Sequence, residues 1–548
     1  MITYYLILNN VSSRAAQYGI GTYIKELARV LKNNPRIHLM YIDFHADTTE
    51  YKQVTDVDGT RHYLIPTVSC INKYFYYRNA AYYLIQNIPQ KKNLIFHFNY
   101  FQMETLAIML KEAFVDCRLV FTVHYFDWCF KLNGNLLVFK RIVGGGLVND
   151  CIKNGFISDR KSLRIWDKII ALSEFSLDLL INEYQIPRDR IELIYNGTQD
   201  ISCHAERSGQ KEVNSPRVVL FVGRLDEIKG IEYLIKAFRK LVVDMKDLRL
   251  VLIGDGDFRA YLSLCEEIRD LVVFTGQISR EELEEYYQNA CIGVQPSFHE
   301  QCSYSAIEMM MYGIPLIISD STGLKEMMDE CPENIVHINE SNFDEEDYVN
   351  QIVEKMRKLL SDETYRACVS DKMKEIFKGR YTVSKMSESM DKLIQGVFSK
   401  RYPFISEGFL KELDEKMVNI INARPDVEIG FSGIAGIGYY LWWRTQQLGI
   451  QKSKEAIYCK LWLEECIIYF LDWLEAAVFY ELDNGLSLSS VDVSSLKGIL
   501  EKLRPIHPTQ VNMLYQLIDM RSSIGSDDML PSSKQIVANA IKMYNKRM

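Results

Sequence analysis

The stretch CIGVQPSFHEQCSYSAIEMMMYGIPLII, residues 291–318, constrains this chain more than any other. Cys291 to Val294 is an apolar run that reads as a buried strand, and Pro296 and Ser297 end it. Ser303 stands where a helix can start, and Ser305 to Tyr312 favours helix. Gly313 and Pro315 then stop it, and Leu316 to Ile318 opens the next strand. Glu300 therefore falls on the loop at a strand's C-terminal end, and Glu308 about a turn and a half inside the helix. A helix N-terminus after a strand of an α/β sheet suits an anion. Two carboxylates placed there are unfavourable unless they bind cations or hydroxyl donors, and a sugar nucleotide offers ribose and hexose hydroxyls. The alternative is a solvated helix face with a charge on the preceding loop.

At 548 residues the chain is too long for one core, so three domains are expected. Its 48% hydrophobic and 25% charged residues belong to a folded protein. A net charge of -8 argues against a general nucleic-acid binder and leaves room for a local basic cleft. Twelve cysteines without a Cys-x-x-Cys pair suit buried, reduced thiols, hence a cytoplasmic location, with peripheral contact at the inner membrane face left open. No uncharged apolar run could span a bilayer. The start, MITYYLILNN, lacks the basic region of a secretory signal and reads as the first buried strand.

After that strand Gly19 and Gly21 flank Ile20, and a helical pattern is expected from about Thr22 with Leu27, Val30 and Leu31 on one face. Glycines ahead of a helix let backbone amides approach a ligand. The G-x-G-x-x-G fingerprint is missing, which disfavours a nicotinamide cofactor. NLIFHFNY and RLVFTVHYFDW read as buried parallel strands, with His124 at the end of the second. A histidine there can donate to a sugar hydroxyl or simply pack against backbone. Residues 129–165, with Gly144 to Gly146, read as a long loop, either acceptor-facing or plain surface. A strand, a Ser173 cap and a helix follow, then a strand and an Asn196–Gly197 turn.

The polar segment CHAERSGQKEVNSP reads as a linker, placed at 201–215. In VVLFVGRLDEIKGIEYLIKAF, Arg224 and Lys229 sit in the loop after a strand, bracketed by Gly223 and Gly230. A guanidinium and an ammonium in that place suit a diphosphate, the alternative being solvated surface charge. LRLVLIGDGDFRAYL adds a strand and a turn opening at Gly254. In VVFTGQISREELEEYYQNA, Gly276 ends a strand and Ser279 with Glu282 forms a capping box.

These features taken together resemble the retaining GT-B glycosyltransferases of family 4. The glutamate–seven residues–glutamate spacing of Glu300 and Glu308 resembles that family's signature, and Gly223-Arg224 with Lys229-Gly230 resembles its diphosphate motif. The loop at Gly19 and Gly21 is similar to its glycine-rich first loop, with Tyr18 in place of one glycine. The resemblance implies an α/β fold of GT-B type, two Rossmann-like domains facing a cleft: 1–200 for the acceptor and 216–380 for the donor. A crossover helix at 381–400 would return to the first domain, and an all-α extension would occupy 401–548. It implies hexose transfer from a nucleoside diphosphate sugar as co-substrate, with retention, no further cofactor and no metal. His124, Arg224, Lys229 and Glu300 would be the catalytic residues. Gly19, Gly21, Gly223 and Gly254 would approach the donor by backbone; Gln277 and Ile278 would hold the base. Ser303, Tyr304 and Glu308 would complete the donor site with Arg224, Lys229 and Glu300. The acceptor would be a glycan, a lipid-linked glycan or a peptide. The alternative class is an inactive sugar-nucleotide-binding scaffold.

Residues 401–548 show helical patterns near 409–421, 455–481, 490–503, 508–520 and 533–546. Within them EIGFSGIAGIGYYLWWRTQ is similar to the helix-opening Gly-x-x-Gly repeats of lanthionine-cyclase-like barrels. The zinc-binding Cys and Cys-His pattern of those cyclases is missing, so cyclase activity is not implied. Trp442, Trp443 and Trp473 are expected in a helical core, with an interface for a protein partner as the other role.

Overall fold

The computed structural model describes residues 1–10, 19–68, 73–114, 116–144, 146–201 and 216–399, and beyond them 490–505 with isolated residues between 471 and 518. The linker, most of the C-terminal extension, its glycine-rich segment and the three tryptophans named above lie outside these residues. The chain divides into two compact units, Met1–Ser399 and Lys400–Met548.

The first unit holds two α/β halves. The N-terminal half runs β1 (Ile2–Asn9), α1 (Gly19–Lys32), β2 (Ile37–Ala46), β3 (Lys52–Thr55), β4 (Arg61–Pro66), α2 (Lys73–Asn87), β5 (Leu94–Phe98), α3 (Glu104–Ala113), β6 (Arg118–Val123), α4 (Asp127–Lys131), α5 (Leu136–Val143), α6 (Asp150–Leu163), β7 (Lys168–Ala171), α7 (Glu174–Asn182) and β8 (Ile191–Leu193). Its sheet has the order β3-β4-β2-β1-β5-β6-β7-β8 and is parallel except for the β3–β4 edge pair. Every residue of β5, β6 and β7 is buried, as continuous apolar strands covered on both faces must be.

The second half runs β9 (Arg217–Val222), α8 (Ile231–Leu241), β10 (Leu248–Ile253), β11 (Val272–Gly276), α9 (Arg280–Asn289), β12 (Ala290–Gln295), α10 (Tyr304–Met311), β13 (Leu316–Ser319), α11 (Leu324–Met327), β14 (Ile335–Val336), α12 (Glu345–Ser361), α13 (Glu363–Arg380) and α14 (Val383–Gly396). Its sheet is fully parallel in the order β11-β10-β9-β12-β13-β14. The order reverses between β9 and β12, and the crevice outside such a reversal is where open parallel sheets bind ligands. Helix α8 buries Ile231, Leu234, Ile235, Phe238 and Leu241, an i, i+3, i+4, i+7 stripe.

Helix α14 returns to the first half. Asp391 accepts from Asn34 Nδ2 at 2.5 Å, and the Val397 carbonyl accepts from Arg118 Nε at 3.0 Å. Thr382 caps it through Lys385 N, so the turn falls at Tyr381, and Gly379 and Arg380 belong to α13 rather than to the last helix.

Two further expectations are corrected. Helix α1 starts at Gly19, so Gly19 and Gly21 form its first turn instead of a loop before it. Residues 129–165 are mostly helical, with α4, α5 and α6 in place of a long loop. The cause is apolar burial: Trp128 stacks on Phe139 at 4.0 Å between ring centroids, and Ile142, Ile152 and Phe156 are buried beside them.

In the second unit one long helix is described, α15 (Ser490–Leu503), matching the helix expected at 490–503. It buries Leu496, Ile499, Leu500 and Leu503, again one stripe. Among the described residues no helix is long and apolar enough to cross a membrane.

Candidate active site

The β9/β12 crevice opens into a cavity of about 430 Å³ between the two halves. From the second half it is lined by Gly223, Arg224, Lys229, Ile278, Glu300, Ser303, Tyr304 and Glu308, and from the first by Gly19 and His124. Residues as far apart in sequence as Gly19 and Glu308 thus meet at one cleft because each follows the C-terminal end of a parallel strand or lies in the first turns of the next helix. Three expected residues do not line it. Gly21 falls between Ile20 and Thr22, which do line it, and Gln277 is exposed. Gly254 acts from beneath: its φ of +143° and a Cβ that would stand 1.8 Å from the Gly223 carbonyl show why only glycine lets β10 support the Gly223–Arg224 loop.

The charges occur in pairs. Lys229 Nζ meets Glu300 Oε1 at 2.5 Å, with both side chains largely buried. Arg224 Nη1 meets Asp226 Oδ2 at 2.8 Å on the open side of the cleft. Glu308 is held by Arg280 Nη1 at 2.5 Å and by the Tyr287 hydroxyl, which donates at 2.8 Å. Arg280 and Tyr287 were not foreseen. Both lie on α9, and a contact spanning 28 and 21 residues has no local signature. Burial opposes the Arg280 charge, yet the Glu308 carboxylate raises its pKa above the ordinary value.

Ser303 caps α10 by accepting from Ala306 N, and its hydroxyl donates to Gln295 Oε1 at 3.1 Å. The helix N-terminus therefore faces the cleft with its remaining amides free for an anion. The Glu300 backbone is fixed by Thr322: its Oγ1 donates to Glu300 O at 2.6 Å and accepts from Glu300 N at 3.0 Å.

His124 lies against Tyr23, ring centroids 4.7 Å apart, and its Nε2 pairs with Asn99 Oδ1 at 3.1 Å. Burial pushes the imidazole pKa down to about 3, which keeps it neutral. His124, expected at the end of β6, lines the cavity beside Tyr23. His299 is likewise pushed down to about 3, first by burial and then by Lys229.

Across the seam Ser173 Oγ donates to Gln301 Oε1 at 3.0 Å, and Asn196 Nδ2 donates to the Cys302 carbonyl at 2.7 Å. Glu326 accepts from Glu174 N at 2.8 Å, and its burial raises its pKa to about 7.

Fold and site define the class: the first unit has the GT-B fold of glycosyltransferases. Residues 18–200 match the family model described as Glycosyltransferase Family 4, and residues 216–362 the one described as Glycosyl transferases group 1. An uncharacterised glycosyltransferase of Methanocaldococcus jannaschii is 32% identical over 196 residues, which are 34% of this chain and 50% of that protein. The matched stretch spans about half the length of the first such curated relatives. Sucrose-phosphate synthase of Thermosynechococcus elongatus shares the fold at a TM-score of 0.57 and 19% identity, covering 73% of this chain and 100% of that one. HepE of Anabaena, solved with UDP and glucose, aligns at a TM-score of 0.50 and 15% identity over 71% of this chain and 99% of its own.

Proposed function

We propose that the protein is an active glycosyltransferase that moves a hexose from a nucleoside diphosphate sugar to an acceptor hydroxyl with retention at the anomeric carbon. The observation that carries this reading is the convergence of Arg224, Lys229, Glu300, Glu308 and the N-terminus of α10 on one interdomain cavity. The diphosphate lies between Arg224, Lys229 and the α10 amides. As the bond from the anomeric carbon to phosphate oxygen breaks, these groups stabilise the negative charge that develops on the leaving diphosphate. Lys229 turns from Glu300 to phosphate, and the freed Glu300 carboxylate accepts from sugar hydroxyls. The acceptor oxygen bonds to the anomeric carbon on the face the diphosphate leaves, and its proton passes to a diphosphate oxygen. Glu308 receives the ribose hydroxyls, and His124 positions a hydroxyl of the sugar. The cations already present supply the positive field, so the reaction proceeds in chelator. The UDP and glucose held by the structurally similar HepE support a donor of this kind.

The test offers a panel of nucleoside diphosphate sugars and follows slow hydrolysis without acceptor, then locates transferred label in glycan, lipid-linked glycan or peptide. One donor should be turned over with its anomeric configuration kept in the NMR spectrum. Arg224→Ala should lower the rate by about 10²- to 10³-fold, the usual loss for a transition-state charge stabiliser. A folded protein that binds no nucleotide sugar, or an Arg224→Ala variant with near-normal turnover, defeats the proposal.

A further inference from the structure

Behind His124, on the face of the first sheet that α1 covers, four polar side chains form an unbroken chain. The Tyr4 hydroxyl pairs with His97 Nδ1 at 2.7 Å, His97 Nε2 with Thr122 Oγ1 at 2.7 Å, and Thr122 Oγ1 with the Tyr23 hydroxyl at 2.9 Å. They come from β1, β5, β6 and α1, and all four are 0% exposed. None of them lines the cavity of the candidate site.

Apolar side chains would close this layer with less risk, because a polar group shielded without a partner is costly. Here both imidazole nitrogens and all three hydroxyl oxygens have one. A fully paired network in a dry interior holds its members in one arrangement. Burial pushes His97 down to about 3 and both tyrosines up, so no member ionises near neutrality.

The chain ends where the site begins. The rings of Tyr23 and His124 meet edge to face, with centroids 4.7 Å apart and planes at 77°. His124 stands two residues beyond Thr122, so the alternation of an extended strand turns both toward α1, and Tyr23 touches both. Tyr23 also follows Thr22, which lines the cavity with Gly19 and Ile20. One side chain thus fixes two walls of the cavity, His124 through its ring and the opening of α1 through its hydroxyl.

We infer that Tyr23 is a positioning residue for the sugar side of the site. Its hydroxyl, held by the Thr122–His97–Tyr4 chain, locks the ring edge-on to His124 and so sets the direction in which His124 meets its ligand. That this ligand is the donor sugar rests on the proposed transferase activity; the coupling of Tyr23 to His124 does not.

The full-length protein is isotope-labelled at the histidine Cε1 position, and the His124 NMR signal is identified by its loss in His124→Asn. Tyr23→Leu removes the ring. Tyr23→Phe keeps the ring and cuts the chain, while Thr122 retains His97 as its partner. Cooperative thermal unfolding shows that each variant folds; should Tyr23→Leu fail this, the same comparisons are read with Tyr23→Phe. Loss of the neighbouring ring current should move the His124 signal strongly in Tyr23→Leu and less in Tyr23→Phe. Turnover of the accepted nucleotide sugar should fall about tenfold in Tyr23→Leu, near the upper end of what an edge-to-face ring pair is worth, and about threefold in Tyr23→Phe. The same Tyr23→Leu change made in His124→Asn should cost less than about twofold, because its effect passes through the missing imidazole. The inference is overturned if the His124 signal stays unmoved when the ring is removed, or if the loss is equally large with and without His124, the mark of a merely structural role. A Tyr23→Phe variant identical to the wild type in signal and turnover overturns the part given to the hydroxyl chain. A wild type that turns over no nucleotide sugar, with the signal moving as expected, counts against the transferase reading alone.

Discussion

Replacing Glu308 by Gln tests the donor site at its most defined point. The carboxylate is buried, with 8% of the residue exposed, and each oxygen already has a partner: Arg280 on Oε1 and Tyr287 on Oε2. A carboxylate has about four lone-pair sites, so about two stay open for a pair of ribose hydroxyls without breaking either contact. Each hydrogen bond to a charged acceptor is worth about 1.5–3 kcal/mol. Losing the charge while keeping one neutral acceptor should cost about 2 kcal/mol, or roughly a thirtyfold weaker Kd. The fold should survive, because Gln Oε1 can still accept from Tyr287 and Arg280 is exposed enough to regain water. Calorimetry with a nucleoside diphosphate and its 2′,3′-dideoxy analogue separates the effects. The wild type should favour the natural ribose by about 10²-fold or more, and Glu308→Gln should lower that preference roughly thirtyfold. Full discrimination retained in the variant would refute the assignment of ribose to Glu308.

Other outcomes follow from the same geometry. His124 is neutral well above its depressed pKa of about 3, so His124→Asn should slow turnover without removing any ionisation from the rate profile between about pH 5 and 8; loss of a limb near neutrality would contradict this. Glu326 has its pKa raised from 4.5 to about 7, so the folded state holds the proton more tightly and stability falls as pH rises through that window. Glu326→Gln should reduce the urea-measured stability difference between about pH 4.5 and 7 by up to about 3 kcal/mol; an unchanged difference would contradict the burial argument. Gly134 has φ +70° and would place a Cβ 2.3 Å from the Phe298 carbonyl, so Gly134→Ala should destabilise the first unit by about 1–3 kcal/mol in a thermal melt.

The fold was readable because parallel strands buried on both faces leave continuous apolar runs, as in β5 and β6, and because caps such as Ser173 and Ser303 announce their helices. Positions at strand ends were readable for the same reason: a loop residue just past a parallel strand has few other places to go. What failed was anything settled by long-range packing. In the segment 129–165 the helical apolar spacing of Leu136 to Val143 is short and followed by glycines, and the contacts of Trp128, Phe139 and Phe156 form only in the folded state. Gly254 looked like a ligand-approach glycine and turned out to support a neighbouring loop. The partners of Glu308 lay on a helix whose own sequence advertises only its capping box.

The seam between the halves explains why such a site needs two domains. Its polar ties are neutral or half-exposed bonds, each worth about 1 kcal/mol net. Against them stand solvent-shielded atoms with no protein partner among the described residues: Gln301 Nε2 and Asn196 Oδ1, the far ends of the same two amides that tie the seam. Shielding such a group without a partner costs about 1–3 kcal/mol. Gain and loss among these polar groups are of similar size, so the apolar cluster shared by both halves sets their relative position. On the proposed reading, a donor that spans the cleft, touching His124 on one side and Arg224 on the other, adds its own contacts across the seam. Lys229 and Glu300 fit the same logic. Paired with each other, the two charges compensate, and on the proposed reading a diphosphate with its attached sugar would satisfy the two separately only when both reach the cavity together.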